Sequence, residues 1–218
     1  MEKIEIIMMD HPPHHSLYKK TGLFFRYSLF KVTLFCAIFV IIFHLPHFTH
    51  RLQHFTDGLG TREETVQEIL NVLERYPTGL ANVTKEELAE VIYEEAARYN
   101  QDPKFILAII AIESSFQNWS VSERGAKGLM QIMPCVAESI AQEIGIEWSG
   151  DQTLFNPFIN IRMGSYYLSR LILDFNNNVG IALTAYNYGP TYVKSLIERK
   201  ERIPIQYYRR ILTVYQNL

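Results

Sequence analysis

Histidine vanishes from this chain after position 54. All seven, His11, His14, His15, His44, His47, His50 and His54, fall in its first quarter. Cysteine is nearly missing: Cys36 sits inside an apolar run, so only Cys135 belongs to the remainder. Chemistry built from residues 55–218 must therefore work without Ser–His or Cys–His pairs and without most zinc sites. An excess of charge is also lacking. The formal net charge is −2, so no global field points to nucleic acid. What remains is carboxylate, amide, hydroxyl and tyrosine chemistry. The 218 residues, 48% hydrophobic and 20% charged, have ordinary globular composition and room for one domain plus something extra.

The extra part is at the amino end. Val32–Phe43 is twelve residues without a charge, and Ser28–Leu45 extends it to eighteen with Lys31 near one end. A membrane span needs about 20 mostly apolar residues, and Lys31 can snorkel. Lys19, Lys20, Arg26 and Lys31 precede the run, so the positive-inside rule puts the amino terminus in the cytoplasm and exports the rest. A cleaved signal sequence is the alternative. No small-x-small site follows, however, and the run exits through His44-Leu-Pro-His-Phe-Thr-His50. A buried core helix is the third reading, opposed by the basic flank and the proline-histidine exit. The organisation expected is a cytoplasmic segment (1–27), an anchor or signal (28–45), a tether (46–83) and a compact domain (84–218). The histidines would stand on opposite membrane faces, as solvated flanks and not as metal ligands.

From Thr84 onward the pattern is helical. Thr84-Lys-Glu-Glu87 is a capping box, followed by Leu88, Val91, Ile92, Ala96 and Tyr99 on one face. Asp102-Pro103 opens a run, Phe105–Ile112, that is apolar all round and so predicts a central buried helix. Further helices are expected from Ala137 to a stop at Gly145, from Asn156-Pro157, before Asn187-Tyr-Gly-Pro190, and near the carboxyl end. Two-residue alternation is absent, so the class is all-α.

Glu113 is the anomaly. Ile106, Ile109 and Ile110 lie one and two turns behind it on the same side. Drawing a carboxyl out of water raises its pKa, and a carboxyl protonated near neutral pH can act as a general acid. The alternative is that Glu113 simply reaches solvent at its helix end. The stretch from Glu113-Ser-Ser through Ser122-Glu-Arg-Gly125-Ala-Lys-Gly128-Leu-Met-Gln131 to Met133-Pro134 resembles the soluble lytic transglycosylase family. Asn156-Pro157, Asn160-Ile161, Gly164 and Tyr167-Leu168, then Ala185-Tyr186-Asn187-Tyr-Gly-Pro190, are similar to that family's later motifs. The likeness covers about residues 87–217.

It implies a lysozyme-like helical domain; together with the anchor read at 28–45, the expectation is an enzyme of the inner membrane with that domain in the periplasm. Such an enzyme cleaves peptidoglycan between N-acetylmuramic acid and N-acetylglucosamine, leaving a 1,6-anhydro end. Glu113 would be the catalytic acid. Ser122 would orient its carboxyl. Gly125 and Gly128 would let the loop approach a sugar chain, and Met130 would offer it an apolar surface. Gln131, Tyr186, Asn187 and Tyr207 would bind substrate. No cofactor or metal is needed; the expected partners are peptidoglycan strands, the membrane and possible envelope-spanning machinery, with no nucleic acid. Three departures stand out. Tyr188 replaces a small residue, Cys135 follows Met-Pro, and Arg202-Ile-Pro-Ile-Gln206 replaces the usual approach to the last tyrosine. The alternatives are a goose-type lysozyme hydrolase on the same fold and a non-catalytic glycan-binding scaffold.

Overall fold

The computed structural model describes residues 61–218. The candidate anchor at 28–45, the histidines and Cys36 lie outside the described residues. Among the described residues no helix is long and apolar enough to cross a membrane.

Eight helices follow one another in the described chain: α1 (61–74), α2 (Lys85–Arg98), α3 (Pro103–Ser114), α4 (Pro134–Ile144), α5 (Pro157–Asp174), α6 (Val179–Tyr188), α7 (Pro190–Glu198) and α8 (Gln206–Asn217). A 3-10 turn, Asp151–Phe155, precedes α5. Pairing of β type among the described residues is limited to isolated bridges from Lys127 to Val121 and Ile132.

The helix ends obey local chemistry. Thr84 accepts from the Glu87 amide while the Glu87 carboxylate accepts from the Thr84 amide, a complete capping box. Asp102 caps α3 through the Lys104 amide at 2.9 Å, with Pro103 at the first position. Asn156 caps α5 through two amides. Gly145 ends α4 in the left-handed conformation, φ 66°.

Helix α3 is the axis of the core. Ile106, Leu107, Ala108, Ile109 and Ile110 are all buried, as an all-round apolar helix demands. It packs against α2 on one side and α8 on the other, while α5 packs against α2, α4 and α6. A second, smaller cluster of Leu171, Phe175, Ala182, Ala185 and Val193 locks the end of α5 to α6 and α7.

Helix α1 belongs to this core, and the described residues, 61–218, lie in one compact unit. Ile69, Val72 and Leu73 are buried in the main cluster, and Arg62 pairs with Glu90 of α2 at 2.5 Å. The packed core thus begins before Thr84, inside the stretch read from sequence as tether. Val66, Ile69, Leu70 and Leu73 form a narrow apolar stripe at helical spacing, and one stripe is enough when a larger core is present to receive it.

Candidate active site

Helix α3 stops one residue after Glu113. Ser115 and Phe116 both take left-handed conformations, φ 50° and 65°, which costs roughly 1–3 kcal/mol each for non-glycine residues. Phe116 is held there by complete burial and by stacking on Tyr76, ring centroids 4.4 Å apart. The chain then turns away from the helix axis and leaves the Glu113 carboxyl at the edge of a cleft of about 490 Å³. Ser122, Gln131, Met133, Tyr186 and Asn187 line the same cleft, together with Glu123, Arg124 and Tyr188.

Two opposing influences set the charge of Glu113. Burial pushes its pKa up. The Tyr207 hydroxyl, which donates to Oε1, and the positive charge of Arg210 pull it back, and burial wins. Tyr207 is itself 4% exposed and its pKa is pushed far up by burial. It therefore remains a protonated donor. The tyrosine comes from α8, so the last helix supplies the partner of a carboxyl on α3.

The wall opposite α6 is the loop 117–132. Its backbone is closely tied: Gly128 donates to the Ser120 carbonyl at 3.0 Å, and Lys127 and Ile132 exchange two bonds. A side chain beneath it does the rest. Asn160 of α5 is fully buried. Its Oδ1 accepts from the Met130 amide at 2.8 Å, and its Nδ2 donates to the Lys127 and Leu154 carbonyls at 3.0 Å. Gln131 takes φ 49° and its side-chain amide donates to the Ser120 and Gly128 carbonyls, leaving its Oε1 without a donor among the described residues.

Three sequence-based expectations change. Ser122 lines the cleft, but its hydroxyl accepts from the Ala126 amide at 3.0 Å; the group that holds Glu113 is Tyr207. Met130 is completely buried. It fills the space over Gly164, where a Cβ would collide with its sulfur, and its carbonyl accepts from the Tyr186 hydroxyl at 2.8 Å. Apolar, flexible methionine fills a core gap here and offers no surface to a sugar. Gly128 is buried too, at φ 81°, and a Cβ there would strike Asn160 and the Leu154 carbonyl. Its smallness serves packing within the protein. Gly125, at φ 86°, has open space around it.

Asn160 escaped the sequence reading as a functional position, although a polar residue amid the inward-facing Ile161, Gly164 and Leu168 was a signal of a buried hydrogen-bonding role. A second carboxylate, Glu123, stands in the cleft, exposed. A wider hollow of about 720 Å³ lies elsewhere, lined by Tyr99, Phe105, Leu173, Leu212 and Tyr215 among others. Its carboxylate, Asp102, already caps α3 and accepts from the Tyr215 hydroxyl at 2.5 Å. Size alone does not mark the site.

Residues 90–208, more than half the chain, match the family described as the transglycosylase SLT domain. The chain belongs to that family. Its SLT domain is 37% identical over 92 residues to the soluble lytic murein transglycosylase of Salmonella typhimurium, covering 42% of this chain and 14% of that protein. It is 35% identical over 120 residues to the membrane-bound lytic murein transglycosylase C of Actinobacillus pleuropneumoniae, covering 51% of this chain and 33% of that protein. The chain thus spans a third or less of these two curated relatives. A solved structure, the lytic transglycosylase Slt of Pseudomonas aeruginosa in an inactive mutant form, aligns over 58% of this chain and 21% of that one. The identity there is 31% and the TM-score 0.48.

Proposed function

We propose that the protein is a peptidoglycan lytic transglycosylase in which Glu113 is the single catalytic acid and base. The observation that carries this reading is Glu113 itself: a carboxyl at the rim of a cleft, raised in pKa by burial, with a protonated tyrosine on one oxygen. Protonated Glu113 donates its proton to the glycosidic oxygen between N-acetylmuramic acid and N-acetylglucosamine, and the bond from that oxygen to C1 breaks. The carbonyl oxygen of the substrate's own N-acetyl group stabilises the cation developing at C1. The Glu113 carboxylate then takes the proton from the C6 hydroxyl as O6 bonds to C1. The 1,6-anhydro ring closes, Glu113 is protonated again, and no water is consumed.

The remaining groups position the strand. The free Oε1 of Gln131 and the exposed amide of Asn187 offer an acceptor and donors for hydroxyl and N-acetyl groups. Tyr186, fixed on the Met130 carbonyl, supplies a rigid face. Ser122 adds a hydroxyl at the rim.

One observation favours a second reading. Glu123 stands in the same cleft, and most glycosidases use two carboxylates. A goose-type lysozyme mechanism would activate water and leave a reducing end. Digestion of purified sacculi with product masses separates the two. Anhydro ends from the wild type and from Glu123→Gln, with no products from Glu113→Gln, are expected. Reducing ends, or undiminished lysis by Glu113→Gln, overturn the assignment. Binding to sacculi without release of fragments by the wild type identifies a scaffold.

We further propose that residues 28–45 anchor the enzyme in the inner membrane with its SLT domain in the periplasm. The charge-free run with four cations before it supports this, as does likeness to a relative named membrane-bound. Sequencing the amino terminus of the exported protein tests it: an intact Met1 or Glu2 start in the membrane fraction is expected, and a start beyond residue 45 shows a cleaved signal.

A further inference from the structure

At the corner between α6 and α7 two large aromatic side chains stand in solvent. Tyr188 is 42% exposed and Tyr192 is 47% exposed. Their ring centroids are 6.1 Å apart, with the planes inclined at 40°. Neither hydroxyl makes a hydrogen bond within the described residues. Trp119 is more exposed still, yet its indole N–H donates to the Gly79 carbonyl and its ring lies on Phe155. That tryptophan is explained by fastening the 77–80 segment to the domain. The tyrosine pair fastens nothing.

The corner is rigid. Gly189 turns the chain at φ 90°, ψ 139°, and Pro190 opens α7. Ala185 before it and Val193 after it are buried in the smaller core cluster. Both phenol rings are thus carried by well-packed helix ends, and their geometry is available before any ligand arrives. Tyr188 also lines the cleft that holds Glu113, so the aromatic pair continues that cleft and is not a separate patch.

We propose that Tyr188 and Tyr192 form an additional pyranose-binding subsite that extends the Glu113 cleft around the α6–α7 corner and takes N-acetylated sugar rings from a long glycan strand. A pyranose has an apolar face of C–H groups and a rim of hydroxyls. Two exposed phenols match both: the rings cover the C–H face, and the free hydroxyls reach the rim. Wetting two tyrosine faces is unfavourable in the absence of a ligand, and stacking a sugar removes that cost. The subsite selects for strand length, because a short oligomer occupies the cleft at Glu113 without reaching the corner. This inference rests on the glycan-cleaving reading given above.

The test uses the full-length protein in detergent with Glu113→Gln, so that nothing is turned over. Chitobiose and chitohexaose are titrated calorimetrically into this protein and into versions that also carry Tyr188→Ala, Tyr192→Ala or both. The double change is expected to weaken chitohexaose about tenfold, and Tyr192→Ala alone, outside the cleft lining, to weaken chitohexaose and leave chitobiose unchanged. Tyr188→Phe and Tyr192→Phe should retain most of the affinity, since the rings remain. Equal chitohexaose affinity with and without the tyrosines overturns the subsite, and so does an equal loss for both oligomers. The functional reading fails separately, if the wild type releases no anhydro products from sacculi. Release of those products together with unaltered chitohexaose binding sinks the subsite alone.

Discussion

Two glutamates on neighbouring helices make an instructive pair. Glu95 of α2 is 4% exposed, and Glu113 of α3 is half-buried. In both, burial is the largest influence and raises the carboxyl pKa. Their partners differ. Glu95 is met by a cation: Arg98 Nε lies 3.3 Å from Oε1 as a hydrogen bond and 3.2 Å from Oε2 as an ionic contact. Glu113 is met by a neutral hydroxyl. Only Glu113 opens on the cleft lined by Ser122, Gln131 and Asn187. A perturbed carboxyl is therefore common to a packing site and a candidate catalytic site. Access and the charge of the partner separate them.

The largest expected effect tests that separation directly. Glu113→Gln should lower release of fragments from sacculi by about a thousandfold, within the usual range for a lost general acid, with an unchanged circular dichroism spectrum. Glu95→Gln should stay within a few-fold of wild type. A comparable loss in both variants would erase the distinction between the two sites.

Next comes the loop wall, which the Glu95 side lacks. Asn160→Ala leaves the Met130 amide and the Lys127 carbonyl without their partner. An unsatisfied buried polar group costs about 1–3 kcal/mol, so chemical denaturation should show a loss of roughly 3 kcal/mol. An unchanged midpoint would mean that the loop is held by its own backbone bonds.

Tyr207→Phe sharpens the comparison at the level of the partner. Loss of a hydrogen bond to a charged group should reduce activity about tenfold. Because that bond favours the carboxylate, its removal raises the Glu113 pKa further, and the alkaline limb of the pH–rate profile moves to higher pH. Removing Arg98 should leave that limb in place. A profile unmoved by Tyr207→Phe would show that the hydroxyl does not act on Glu113.

The smallest effect is on stability. A carboxyl raised on folding contributes fully below the ordinary glutamate range, and its contribution is lost as pH rises through the raised folded value. Glu113→Gln should therefore melt above wild type at neutral pH, and the gap should close as pH falls below that range. A gap that widens on acidification would contradict burial as the main influence on Glu113.

Much of this was legible in the residues. Capping chemistry at Thr84, Asp102 and Asn156, the glycine stop at 145 and the all-round apolar run of α3 are local signals, and each fixed an element. Glu113 stood out because a charge ending an apolar helix is locally anomalous. What sequence could not resolve is contact between distant segments. Ser122 was expected to hold Glu113 and Tyr207 to bind substrate; only the packing of α8 on α3 brings the Tyr207 hydroxyl to that carboxyl instead. Met130 and Gly128 sit in a motif beside cleft residues, yet whether they face out or in depends on α5 beneath them. Helix α1 was underestimated because its narrow stripe is meaningful only with a core to meet it.

The bond between Tyr207 and Glu113 joins residues 94 positions apart. Its formation requires that α3 and α8, the third and the last of the described helices, be docked together. A chain still emerging, with α3 made and α8 not yet delivered, carries the acid but not the hydroxyl that steadies it. The long span thus works as an interlock: the acid meets its partner only once α8 has docked on α3.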